Sequence, residues 1–350
     1  MIKSETNIGI DEILNETNNL LISIEDENEN KGLFKVRSAN KWIEKAKTRP
    51  IPKMLFGELW FENELCILFA DTNLGKSILA VQIGNSISKG EYIRGFKLEA
   101  KKQSILYFDF ELSDKQFENR YSKDFDQHYR FGNDFIRVEI NPDANIPTKE
   151  TFESFLNSSL EQSIIETNSK ILIIDNLTYL KNETEKSKDA LPLMKHLKTL
   201  KSKYGLSILA LAHTPKRDLS KPITRNDLAG SKMLINFVDS CFSIGESHND
   251  KQLRYIKQIK ARNTEIIYDT ENVVVCQIDK PHNFLQFEFI DYSSEIEHLK
   301  QISKEDREQL ENNIIELKSS KPNLSLREIA NQLGTNQMKV KRTLDKHNKL

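Results

Sequence analysis

Residues 64–80 read ELCILFADTNLGKSILA, and the reading of this stretch decides the fold. The apolar run Leu65–Ala70 has the length and composition of a buried strand. A loop follows: Asp71, Thr72, Asn73, Leu74, Gly75, Lys76, Ser77. Then Ile78, Leu79, Ile83 and Ile87 recur at helical spacing. Strand, loop ending in Gly-Lys-Ser, helix is the context that makes a phosphate-binding P-loop credible. Backbone N–H groups of residues 71–78 would point at phosphate oxygens, at the positive end of a helix. Lys76 would reach the β- and γ-phosphates of a nucleoside triphosphate, and the Ser77 hydroxyl would ligate Mg²⁺. The loop departs from the strict motif at one position. Ala70 stands where the first glycine belongs, and Gly75 is the loop's only glycine. Asn73 suits the positive φ that such a loop needs.

The chain around this stretch has 350 residues, enough for one large α/β domain and a small second one. Charged residues make up 29% and hydrophobic residues 38%, the balance of a soluble protein. No apolar run approaches the roughly 20 residues of a membrane span, and the N-terminus has no signal-peptide core. A cytoplasmic location and no membrane partner are therefore expected. Cys66, Cys241 and Cys276 lie far apart and form neither a disulfide framework nor a zinc spacing. The net charge of −1 is unevenly spread. Residues 1–30 hold eight acids and one Lys, which predicts a disordered acidic tail over 1–34. Residues 31–49 reverse this with seven Lys or Arg and one Glu, either a solvated face or a nucleic-acid contact.

Further along, buried-strand patterns alternate with helical ones. Strands are expected at Ile105–Phe110, Phe135–Ile140, Ile171–Ile174 and Ser207–Ala212. Helices are expected at Asp114–Asp124, Thr148–Thr167 and Ala190–Lys203. This alternation implies a mostly parallel sheet covered on both faces. From Leu253 onward, Leu253–Ile259, Val273–Ile278 and Leu285–Phe289 read as antiparallel hairpins added at the sheet edge. Residues 293–302 read as a polar linker.

Three strand ends carry chemistry. ILIIDN at 171–176 fits a Walker B strand whose Asp175 would hold Mg²⁺. The next residue is Asn176, where enzymes of the AAA+ kind place their catalytic Glu, so that class is disfavoured. ILYFDFELS at 105–113 offers Glu111 as the water-activating base, with Asp109 the competitor. SILALA ends in His213, placed to sense the γ-phosphate. The loop after it contains Lys216 and Arg217, which would contact DNA or simply be solvated. RYIKQIKARN at 254–263 puts Lys260 and Arg262 on one face of a strand. They form either a surface basic strand or a finger reaching a neighbour's site.

P-loop, Glu after the second strand, Walker B Asp, His after the fourth strand, and a Lys-x-Arg hairpin together resemble the RecA-like hexameric ATPases. The resemblance is closest to plasmid and mobile-element replication ATPases of the RepA type, and covers roughly residues 45–292. It implies a RecA-like P-loop NTPase domain over 35–292, with ATP bound at interfaces of a homo-oligomer, a hexamer in that family. By this resemblance Lys76, Ser77, Glu111, Asp175, His213, Lys260 and Arg262 carry the reaction.

Residues 303–350 read as a separate all-α unit. Ser325 caps one expected helix and Gly334 turns into the next. Ile329, Leu333, Val340 and Leu344 supply its core, with Ala330 at a close crossing. This fits a helix-turn-helix, or else a three-helix protein-interaction module. In the first case Asn336 and Gln337 would read base edges, and Lys339, Lys341 and Arg342 would hold phosphates. Two functional readings follow: an ATP-hydrolysing DNA motor or replicative helicase, and an ATP-gated DNA-binding regulator or scaffold with little turnover.

Overall fold

The computed structural model describes residues 34–177, 179, 190–228, 231–301, 304–335 and 337–347. The acidic tail expected over 1–34 lies, apart from Phe34, outside the described residues, and so does Asn336. The chain divides into two units, residues 1–51 and 52–350. In the first, helix α1 (Ala39–Lys47) begins where the Ser38 hydroxyl accepts the Lys41 N–H at 3.3 Å. None of its residues is buried.

In the second unit, β1 (Met54–Phe56) and β2 (Trp60–Phe61) form a small antiparallel pair leading to β3 (Leu65–Ala70) and α2 (Lys76–Lys89). Then come β4 (Ile105–Asp109), α3 (Asp114–Arg120) and a short hairpin of β5 (Ser122–Lys123) and β6 (Gln127–His128). The alternation continues with β7 (Phe135–Val138), α4 (Phe152–Thr167), β8 (Ile171–Asp175), α5 (Ala190–Tyr204), β9 (Ser207–His213) and α6 (Ser231–Phe237). Four further strands follow: β10 (Ser240–Glu246), β11 (Leu253–Lys260), β12 (Val273–Asp279) and β13 (Gln286–Ser293). They precede the short α7 (Glu295–His298).

Among the described residues nine strands make one sheet in the order β13-β12-β11-β10-β3-β9-β8-β4-β7. From β10 to β7 every neighbouring pair is parallel, and β11, β12 and β13 add antiparallel strands at one edge. The expected mixed architecture is therefore present. β3 lies inside it, between β9 and β10, with alternate residues feeding two cores. Cys66, Leu68 and Ala70 join the core under α2, while Leu65, Ile67 and Phe69 join the opposite one with α4 and α5. All three cysteines are buried and unbridged.

Three differences from the sequence reading have physical reasons. Strand β10 was not expected, because Ser240, Ser243 and Gly245 break its apolar run. Gly245 is there because any Cβ would run into the Tyr255 ring on β11. Helix α4 starts at Phe152 rather than Thr148, where the Thr151 hydroxyl accepts the Ser154 N–H at 3.1 Å. Residues 293–302, read as a linker, instead carry the end of β13 and helix α7. Glu295 there is wholly buried and pairs with Lys257 at 2.5 Å, so this segment is anchored to the sheet.

The last helices are α8 (Lys304–Ser320), α9 (Leu326–Gln332) and α10 (Gln337–His347). Ser325 and Glu328 form a reciprocal cap on α9, and Gly334 turns with φ 63°. Ile314, Ile329, Ala330 and Val340 are their buried core, flanked by Leu333 and Leu344. Among the described residues no helix is long and apolar enough to cross a membrane.

Candidate nucleotide site

The C-terminal ends of β3, β4, β8 and β9 line up along one edge of the sheet. Ala70 is in register with His213, and Asp109 with Asp175. In open parallel sheets ligands bind at this edge, where loops leave the strands.

The phosphate loop leaves β3 at Asp71, whose carboxylate accepts the Thr72 N–H at 2.7 Å. Asn73 has φ 62° and Gly75 φ 92°, the left-handed conformations that turn the chain into α2. Gly75 is required twice over. A Cβ there would come within 2.8 Å of Ile278 and 2.9 Å of Phe287, on the β12–β13 hairpin. Among the described residues the N–H groups of 73–78 meet no backbone acceptor, and the first bond of α2 runs from Leu79 to Gly75. Six N–H groups at a helix N-terminus, with no internal use, form a cradle for an anion. Lys76 is buried and its ammonium donates to the carbonyls of Ala70 (3.0 Å) and Asp71 (2.9 Å). Burial pulls its pKa below the usual lysine value, while Asp175, Glu111 and Asp71 oppose this.

Asp175 is buried at the end of β8, and its Oδ2 accepts the Tyr107 hydroxyl at 2.7 Å. Its Oδ1 accepts no hydrogen bond of ordinary geometry among the described residues. Burial pushes the carboxyl up to about 6, with the Ser77 and Tyr107 hydroxyls pulling the other way. An orphaned carboxylate oxygen beside a P-loop serine fits a Mg²⁺ site. Among the described residues no cluster of three His, Cys, Asp or Glu side chains exists that could hold a metal. Ser77 and Asp175 would therefore hold the cation together with the nucleotide's own phosphates.

Glu111 and His213 come together, and the residue that joins them is Asn176. The Asn176 amide donates to Glu111 Oε1 and lies 3.0 Å from His213 Nε2, while Nε2 and Glu111 Oε1 are 3.6 Å apart. The nearby imidazole is the leading influence holding the Glu111 carboxyl below its usual range, with Lys76 and Arg120 adding to it and burial opposing. Asp109 has another task. It accepts the N–H groups of Glu111 (3.2 Å) and Leu112 (3.0 Å) and pairs with Arg137 at 2.9 Å. It fixes the turn that presents Glu111.

The remaining sequence-derived residues lie elsewhere. Lys260 pairs with Cys241, which neighbours Ile67, so it sits toward the N-terminal end of β3, roughly 13 Å or more from the phosphate loop at 3.3 Å per residue. Its ammonium donates to the carbonyls of Ile235 (2.6 Å) and Val238 (2.8 Å), capping α6. Arg262 is half exposed and pairs with Asp239 at 3.0 Å. Neither belongs to the subunit's own phosphate site. Lys216 is exposed just beyond His213, and Arg217 is half-buried, donating to the Lys221 carbonyl at 3.2 Å. On α10, Gln337, Lys341 and Arg342 are exposed and Lys339 is half-buried.

The sequence reading missed Tyr107 and the bridging role of Asn176. The signal for Asn176 was its position next to Asp175, read there only as a missing acid.

The family model described as an AAA domain matches residues 34–218, just over half of the chain. It includes the phosphate loop, Glu111, Asp175 and His213, and ends before β10. The match covers Asn176 and supports an AAA-type P-loop ATPase of the RecA-like kind. No curated protein matches the chain.

Proposed function

Because the chain belongs to the AAA domain family of P-loop ATPases, we propose that it is an oligomeric DNA-binding ATPase. We read it as a motor or replicative helicase of the RepA type, serving a plasmid or mobile element in the cytoplasm. One observation carries this reading. The strand that ends in His213, beside Glu111, continues directly into a loop with exposed Lys216, Lys221 and Arg225. A change at the γ-phosphate felt by His213 would then be three residues from Lys216, in a segment that suits a nucleic-acid backbone.

In the proposed reaction the cradle and Lys76 hold the triphosphate. Mg²⁺ on Ser77 and Asp175 would neutralise phosphate charge. Glu111 takes the proton of the attacking water, and His213 registers loss of the γ-phosphate. Arg262, half exposed, would complete a neighbouring subunit's site, with Lys260, held by the Ile235 and Val238 carbonyls, fixing the strand end beside it. A ring or chain of subunits follows, and a hexamer suits it. Helices α8 to α10 act as a helix-turn-helix, with Gln337, Lys339, Lys341 and Arg342, and Asn336 outside the described residues, on the DNA.

The test is unwinding of a forked DNA duplex with ATP, with Lys76→Ala as control. Strand separation that requires Lys76 supports the motor. ATP-dependent DNA binding without unwinding would replace it with the ATP-gated regulator.

A further inference from the structure

The loop leaving β9 is tied down at Thr214 and again at Ile223. At the near point the Thr214 N–H donates to the Ala70 carbonyl at 3.1 Å, and the Lys76 ammonium donates to that same carbonyl at 3.0 Å. At the far point both backbone groups of Ile223 are held by a buried ion pair. Its N–H donates to Glu295 Oε1 at 2.6 Å, and its carbonyl accepts the Lys257 ammonium at 2.9 Å. Lys257 and Glu295 meet at 2.5 Å. The Tyr255 hydroxyl donates to Glu295 at 3.2 Å, and the Thr270 hydroxyl accepts from Lys257 at 2.9 Å. Between the two points the Leu219 carbonyl accepts the Lys300 N–H at 3.1 Å. The turn there is stiffened from within. The Lys221 N–H donates to the Asp218 carbonyl at 3.2 Å, and Arg217 donates to the Lys221 carbonyl.

Glu295 and Lys300 belong to one short segment, 294–300, around α7. Its own backbone is fixed as well: the Glu295 N–H donates to the Thr270 carbonyl at 2.8 Å, and the His298 carbonyl accepts the His248 N–H at 2.9 Å. Helix α8, the first of the three C-terminal helices, begins four positions beyond Lys300. The segment is therefore the root of those helices and the grip on the loop at once. A buried ion pair is a poor source of stability, because taking two charges out of water costs about what their attraction returns. An apolar pair would fill the same space. What Lys257 and Glu295 do, and an apolar pair cannot, is hold one residue by its N–H and its C=O together. A displacement at Thr214 then reaches Leu219 and Ile223 with little slack. Lys76 supplies such a displacement, since on moving to phosphate oxygens it leaves the Ala70 carbonyl that Thr214 also uses.

We propose that segment 294–300 passes the nucleotide state from this loop to helices α8 to α10, with Glu295 and Lys257 as its positioning residues. This rests on the reading of the phosphate loop as a nucleotide site. Coupling of two sites needs a contact that differs between two states. The Ala70 carbonyl provides it, shared with Lys76 in one state and left to Thr214 in the other. The C-terminal helices then respond to the nucleotide through their root.

The test uses the full-length chain and amide hydrogen exchange, read peptide by peptide. The wild type, Glu295→Gln and the double variant Lys257→Met with Glu295→Leu are compared without nucleotide and with the non-hydrolysable Mg-AMP-PNP. In the wild type AMP-PNP should change exchange by about three-fold or more at 71–78, at 214–223, at 294–301 and in α8. In the double variant the change should persist at 71–78 and vanish at 294–301 and in α8. That variant removes both charges together, so it should keep the fold and bind AMP-PNP within about two-fold of the wild type. Glu295→Gln leaves a buried ammonium without its counter-charge and should lose both stability and the response of α8. A wild type whose phosphate loop responds while 294–301 and α8 do not overturns the proposal and leaves the nucleotide site standing. So does a double variant whose α8 responds as the wild type does. If 71–78 does not respond to AMP-PNP in the wild type, the reading of the phosphate loop fails as well.

Discussion

Asn176 Nδ2 lies 3.0 Å from His213 Nε2 and donates to Glu111 Oε1 as well. The residue after Asp175 therefore holds both Glu111 and His213. Release of this bridge toward a bound nucleotide is what a nucleotide-dependent switch at this site would require.

Removing the bridge should separate binding from turnover. Asn176→Ala is expected to lower kcat by about ten-fold or more, within the range that a positioned general base contributes. KM should stay within about two-fold, because Asn176 holds Glu111 and His213 rather than the phosphates. Asn176→Asp should be worse, placing a like charge beside Glu111 and raising its pKa. Steady-state ATPase kinetics across pH check both, and an unchanged kcat in Asn176→Ala would remove the bridge from the mechanism.

Asp175 gives a pH prediction with a definite sign. Its folded value, about 6, lies above the usual 3.8, so between these values the folded state binds more protons than the unfolded one. Stability from this group is complete below pH 3.8 and is lost as pH rises through about 6, a cost of about 3 kcal/mol at neutral pH. Asp175→Asn should therefore stabilise the nucleotide-free protein at pH 7, and the gain should vanish toward pH 4. The same variant should lose Mg²⁺-dependent nucleotide binding. Urea unfolding at pH 4 and pH 7 reads the first effect and titration with Mg-ADP the second.

At Gly75 conformation and packing act together. Gly75→Ala needs a left-handed alanine and pushes on Ile278 and Phe287, so a loss of about 2–4 kcal/mol is expected. The shift in urea midpoint measures it, and a loss below about 0.5 kcal/mol would mean that the hairpin yields.

Arg262 tests the proposal of a site shared between subunits. Its ion pair with Asp239 is half exposed, so Arg262→Ala should change stability by less than about 1 kcal/mol. Turnover should nevertheless fall by about 10³, as for an arginine finger. Mixing Arg262→Ala subunits with Lys76→Ala subunits should restore part of the activity. Some interfaces then combine an intact loop with an intact finger. No recovery on mixing would rule out action between subunits.

The C-terminal helices make a simpler claim. Replacing exposed Lys341 and Arg342 together with Glu should weaken DNA binding at all sequences and reduce the salt slope by about 2. Affinity and slope that do not change would assign these helices to a protein partner.

Much of the fold was legible because its signals are local. Leu65–Ala70 is strand over the predicted span, and the parallel sheet follows from the alternation around it. Ser325 and Gly334 mark α9 and the turn after it as they do in the sequence. Strand β10 was not legible, because Gly245 answers to Tyr255 on another strand. Glu295 was read as part of a polar linker, and only its distant partners Lys257 and Ile223 explain its burial.

By itself the sequence determined the phosphate loop, the strand ends that carry Glu111, Asp175 and His213, and the order in which they occur. These depend on residue type and spacing along the chain, which short-range sterics and hydrophobic periodicity convert directly into strands, turns and helices. Only the tertiary structure decided which of these groups meet. It joined Glu111 to His213 through Asn176, gave Asp109 to Arg137, tied Lys260 to the end of α6, and left Arg120 Nη1 and Asp175 Oδ1 without hydrogen-bond partners among the described residues. Those relations depend on the register of strands far apart in the chain and on the balance of burial and pairing between them, which no local pattern contains.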